Sequence, residues 1–91
     1  MVAYSKTQQR LIRLQASRIK LTPDERDYMV SLLLDDPLGR PHQAGTVVSY
    51  DSTVGRAVSG LEKKGFLQRM GDGKAEVLPL GTALLQCLVC I

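Results

Sequence analysis

The chain has 91 residues, 44% of them hydrophobic and 23% charged, with a formal net charge of +3. That length gives one small domain with a modest core, and that composition excludes a disordered chain. No apolar run approaches the roughly 20 residues that cross a bilayer, and no apolar stretch follows the N-terminal cations, so neither a membrane span nor a signal peptide is expected and a cytoplasmic location is the default.

Charge is ordered along the chain. Lys6, Arg10, Arg13, Arg18 and Lys20 occupy residues 1–20 without an acid. Asp24, Glu25, Asp27, Asp35, Asp36 and Asp51 dominate 21–51, against Arg26 and Arg40. In 52–91, Arg56, Lys63, Lys64, Arg69 and Lys74 face Glu62, Asp72 and Glu76. Two cationic surfaces flanking an acidic one suit a polyanionic partner without requiring one.

Residues 5–20 are expected to form the first helix, with Leu11, Ile12, Gln15 and Ile19 on one side and cations fanning around the rest. The apolar stripe is narrow, so this helix needs a partner surface. The run Thr22-Pro23-Asp24-Glu25 marks the start of a second helix over 23–35. Thr22 suits the cap, Pro23 the first helical position, and Glu25 the third residue of a capping box. Tyr28, Met29, Leu32 and Leu33 are its candidate core residues, and Pro37 disfavours further helix.

Residues 37–51 are ambiguous. Thr46-Val47-Val48-Ser49-Tyr50 has strand-like composition, whereas Pro41 can open a short helix over 41–48. The helix is favoured because a well-marked second one comes directly after it in the chain. Asp51 or Ser52 caps that helix, over 52–64, with Val54, Val58 and Leu61 on its buried face and Gly65 as its stop. Its other faces carry Ser52, Thr53, Arg56, Ser59, Gly60 and Lys63, short polar side chains around one long cation that let another surface approach closely.

Residues 66–79 are expected to form a hairpin about Gly71-Asp72-Gly73, because Asp-Gly favours the type I′ turn. In the simplest register Arg69 faces Glu76 and Leu67 faces Leu78. Pro79 ends the ladder, and Thr82 opens a final helix over 82–91 whose only strongly polar residue is Gln86. A helix apolar nearly all round must be covered, and a homodimer interface through Leu84, Leu85, Leu88, Val89 and Ile91, with Leu11 and Ile12, is the expected cover. Cys87 and Cys90 have the spacing of a redox pair or half a zinc site. Their apolar neighbours favour small buried side chains on the interface helix instead.

The order of these elements resembles the winged helix-turn-helix of MarR-type transcription regulators. The resemblance lies in Ser52-Thr53-Val54, Leu61-Glu62-Lys63-Lys64-Gly65-Phe66-Leu67 and Leu80-Gly81-Thr82-Ala83-Leu84-Leu85. It implies a mainly α fold with a small β-hairpin (α+β), residues 41–48 as the first arm of the helix-turn-helix, 52–64 as the recognition helix and 66–79 as the wing. It further implies that Ser52, Thr53 and Arg56 face the major groove of double-stranded DNA, where arginine reads guanine in bidentate fashion. Ser59 and Lys63 would then reach the flanking backbone, and Arg69 and Lys74 would serve the wing.

A small homodimeric DNA-binding regulator is therefore the leading expectation, with a winged-helix module for protein contact as the alternative. An enzyme is not expected. The lone His42 has no nucleophile or orienting partner, no paired carboxylates have useful spacing, and no cofactor, metal or small-molecule substrate is implied.

Overall fold

The computed structural model describes residues 4–90. Helix α1 (Lys6–Ser17) begins with a capping box in which Gln8 N–H donates to Ser5 Oγ at 3.2 Å and Ser5 N–H donates to Gln8 Oε1 at 2.8 Å. It is shorter than the expected 5–20, with Arg18 as its C-cap. Ile12 and Ala16 form its buried face.

Helix α2 (Pro23–Leu34) starts at the expected signal. Glu25 N–H donates to Thr22 Oγ1 at 3.3 Å and Thr22 N–H donates to Glu25 Oε1 at 3.0 Å. The helix ends at Leu34, and the chain then wraps around Asp36, whose carboxylate accepts from Leu38 N–H and Arg40 N–H at 3.0 Å each. The Tyr4 hydroxyl donates to the Gly39 carbonyl and ties the beginning of α1 to this loop.

The helix expected over 41–48 is absent. Gly45 sits at φ +92°, outside the helical region, and Val47–Ser49 form strand β1. The β-branched composition of Thr46-Val47-Val48 wins because β3 offers a partner. Gly45 N–H donates to Val77 O and Val77 N–H donates to Thr46 O, both at 2.8 Å. A helix here would leave one edge of β3 unpaired.

After β1 comes a 3-10 turn, Ser52–Val54, that leads into helix α3 (Gly55–Lys63). Strands β2 (Leu67–Gly71) and β3 (Lys74–Val77) then form the hairpin, giving an antiparallel sheet of order β1-β3-β2. Asp72 and Gly73 lie at φ 56° and 70°, the positive pair that a type I′ turn needs. The register differs by one residue from the simplest reading. Leu67 pairs with Val77, Gln68 with Glu76 and Arg69 with Ala75, and an irregularity between Arg69 and Gly71 absorbs the extra residue. This register brings Leu67, Ala75 and Val77 together in the core, all fully buried.

Helix α4 (Pro79–Val89) begins at Pro79 rather than Thr82. The shifted register ends β3 at Val77 and frees Leu78 to be the N-cap, and the Thr82 hydroxyl donates to the His42 carbonyl at 2.9 Å. α4 packs on α1 and α2 of its own chain. Ile12, Leu84, Leu85 and Leu88, expected at a dimer interface, are buried in the core of the single chain. Of the residues expected there, Leu11 is exposed and Val89 half-buried, and Ile91 lies outside the described residues. Cys87 and Cys90 are exposed rather than buried. The described residues thus form an α+β fold of four helices and one small sheet.

One buried charge joins α2 to α3. Glu25 is 4% exposed, and its carboxylate both closes the α2 cap and pairs with the Lys64 ammonium just beyond α3. The space it fills exists because residue 60 is glycine. A Cβ there would lie 1.8 Å from Glu25 Oε2. Burial by itself would raise the Glu25 pKa, but hydrogen bonds from Lys64 and the Thr22 N–H, together with the Lys64 charge, hold it below the usual carboxylate range.

This junction is testable by mutation and by pH. Gly60→Ala, which stabilises an open helix by up to about 1 kcal/mol, is expected to cost about 1–3 kcal/mol here because the carboxylate must move. In a Glu25→Ala background the same change should become stabilising. Urea denaturation of the four proteins reads this, and an identical Gly60→Ala effect in both backgrounds would contradict the contact. Because the folded pKa of Glu25 lies below its unfolded value of about 4.3, its ionic stabilisation is present above that pH and disappears as pH falls through the folded value. Glu25→Gln should cost about 1–3 kcal/mol at neutral pH, and that cost should shrink steadily as pH falls below the unfolded value. A pH-independent cost would exclude the ionic role.

Candidate nucleic-acid interface

Asp51 organises the entry to α3. Its Oδ1 accepts from Thr53 N–H at 2.9 Å and from the Thr53 hydroxyl, which holds the carboxyl below its usual pKa range. Thr53 is thereby turned toward Asp51, and its hydroxyl proton is already committed. Ala57, Val58 and Leu61 point into the core. Arg56, Ser59 and Lys63 recur at i, i+3 and i+7, a single stripe on the opposite side, and Ser52 precedes them in the 3-10 turn. Ser52, Arg56 and Lys63 are exposed and Ser59 is half-buried. Among the described residues no carboxylate lies within 4 Å of Arg56 or Lys63.

Of the two hairpin cations, Arg69 and Lys74, one is held in an ion pair. Arg69 is clamped by Glu62 of α3. Its backbone N–H donates to Oε2 at 2.8 Å and its Nε–H to Oε1 at 3.2 Å. That backbone N–H, with the guanidinium behind it, holds the Glu62 carboxyl below its usual range. Lys74 remains exposed beside the turn, across from Ser49 on one side and Gly71 on the other. The seven expected contact residues therefore do not act alike. Three share the α3 stripe, Ser52 stands exposed in the 3-10 turn before it, Thr53 turns to Asp51, Arg69 is neutralised in part by Glu62, and Lys74 stands alone near the tip.

A cleft of about 290 Å³ opens between α2 and the start of α3. Asp24, Asp27, Tyr28 and Ser31 line it from α2, and Thr53 and Arg56 line it from the other side. In the sequence Asp24 and Asp27 stand only among the acids of residues 21–51. Their i, i+3 spacing places them on one outer face, but only the α2–α3 packing brings that face next to Arg56. Tyr28 is buried, and its hydroxyl has no hydrogen-bond partner among the described residues. Burial first, and then Tyr50, push that phenol above its ordinary pKa.

Elsewhere the Gln15 amide contacts Cys87 Sγ at 3.8 Å. No group of three or more His, Cys, Asp or Glu side chains is placed to hold a metal ion among the described residues. No helix among them is long and apolar enough to cross a membrane. Comparison of the chain with models of protein families, with curated proteins and with solved structures finds no match.

Proposed function

We propose that this chain binds double-stranded DNA as a small transcription regulator, with the α3 stripe in the major groove and the β2–β3 hairpin beside the backbone. The observation that carries the reading is Arg56, exposed and without a carboxylate partner among the described residues. It stands among short polar side chains that allow a groove floor to come near. An arginine so placed can donate two parallel hydrogen bonds to guanine O6 and N7. Ser52 is then the second base-edge candidate, with Ser59, Lys63 and Lys74 toward phosphate. Thr53 can still accept through the lone pairs of its hydroxyl oxygen. In place of the first arm of a helix-turn-helix stand a strand and a 3-10 turn, so the reading is that of a single helix braced by a hairpin. One chain suffices for it, since α4 is covered by its own fold, and light scattering of the complex measures whether a second copy joins.

A second reading, a module for protein contact, is favoured by Asp24 and Asp27. Both line the cleft beside Arg56, where they repel phosphate and suit a cationic side chain. Co-purification of a stoichiometric protein partner together with no duplex affinity would decide for it.

Fluorescence anisotropy with a pool of duplexes tests the DNA reading. Arg56→Ala should reduce discrimination between sequences by about 1–3 kcal/mol at one position, whereas Lys74→Ala should weaken all duplexes alike and lower the salt slope by about 1. Absence of binding at low salt would end the proposal. Glu62→Gln releases Arg69 and should raise affinity by about 3- to 10-fold, roughly one charged contact. Asp72→Asn makes the same change in net charge without releasing Arg69, and an equal rise with both would remove Arg69 from the contact.

A further inference from the structure

We infer that α1 supplies a second phosphate-contacting surface through Lys6, Arg10 and Arg13, an inference that rests on the duplex-DNA reading above. The three residues stand at i, i+4 and i+7, one stripe about 10 Å long, and all are exposed, on a flank of the helix beside its buried residues Ile12 and Ala16. Residues 1–20 contain no acid. Among the described residues the only ion pairs are Glu25–Lys64 and Glu62–Arg69, so none of the three has a carboxylate partner there.

Helix stability does not account for this placement. The N-terminal end of a helix is already positive, and acids belong there. α2 obeys with Asp24 and Glu25 in its first turn, whereas α1 has no acid in its first turn and begins on Lys6. The cations add to the dipole instead of opposing it, and they concentrate positive potential on one end and one edge of α1. Anions gain from both.

The α3 face and the hairpin are short of free cations. Lys64 and Arg69 are held by Glu25 and Glu62, which leaves Arg56, Lys63 and Lys74 around α3 and the hairpin, with Asp24 and Asp27 close by. Three cations neutralise few phosphates, and affinity for DNA at ordinary salt depends steeply on that number. The α1 stripe doubles it. An anionic membrane is the other polyanionic surface such a helix can meet. Insertion needs a broad apolar face, and the apolar face of α1 is spent on its own core, leaving only Leu11 and Leu14 exposed, at 43% and 53%.

The experiment is a salt titration of the full chain with a short fluorescent duplex of random sequence, repeated with vesicles containing phosphatidylserine. Lys6→Gln/Arg10→Gln/Arg13→Gln retains good helix formers at exposed positions, and circular dichroism confirms that it folds. Loss of about three phosphate contacts should lower the slope of log affinity against log salt by about 2–3 and weaken low-salt binding by about 10- to 100-fold. Arg18→Gln/Lys20→Gln, off the stripe, should have a clearly smaller effect. Unchanged binding in the triple variant, an equal loss in the double variant, or wild-type binding to vesicles but not to duplex would each overturn the inference, as would a wild type that binds neither. Lost slope in the triple variant with unaltered discrimination in Arg56→Ala sustains α1 and overturns the role of α3. The reverse pair of results sustains α3 alone.

Discussion

Glu25 holds three things at once with a single buried carboxylate. It closes the cap of α2, accepts the Lys64 ammonium from the far end of α3, and occupies the hollow left by the missing side chain of Gly60. The pairing is asymmetric. Lys64 is 40% exposed and returns readily to water, whereas an unpartnered Glu25 would be a stranded charge, the costly case for a buried ion pair. Because the carboxylate is bound both to the cap of its own helix and to Lys64, it ties α3 to α2 at a fixed point. The position of Arg56 relative to Asp24 and Asp27 is a consequence.

The sheet completes that frame from the other side. β2 packs against α3, and the clamp between Glu62 and Arg69 fastens helix to hairpin at the surface. The pair is solvent-exposed and contributes little to stability. Its larger effect is to withdraw a cation from solvent-facing duty. The same element that rigidifies the hairpin thus makes it a weaker site for anions. β1 supplies the remaining edge of β3, and Tyr50 N–H donating to the Gly73 carbonyl at 2.8 Å continues that pairing to the tip.

Charge is accordingly distributed in a way that net charge does not convey. The helix carrying the proposed reading residues has partly compensated surroundings, while α1 carries uncompensated cations on a surface remote from the core. A chain of +3 can therefore present a concentrated cationic edge and, beside Arg56, an acidic cleft. Both features decide what approaches, and from which side.

The sequence by itself determined whatever is settled within a few residues. The capping box at Thr22 and Glu25, the Asp72-Gly73 turn and the buried face of Val58 and Leu61 depend on local hydrogen bonds, backbone sterics and helical period, and these stand as expected, whereas Val54, expected on the same face, is half-buried in the 3-10 turn. Only the tertiary structure decided the remainder. Thr46-Val47-Val48 had two acceptable local conformations until β3 offered unpaired backbone groups. A one-residue hairpin shift cost little locally until Leu67, Ala75 and Val77 had to share one core. The apolar circumference of α4 demanded a cover, and packing of α1 and α2 from the same chain supplied it, so residues expected at a dimer interface became core. Arg69 was equally free in sequence to face a phosphate or Glu62, seven residues back. Such choices depend on contacts between residues distant along the chain, which no local pattern records.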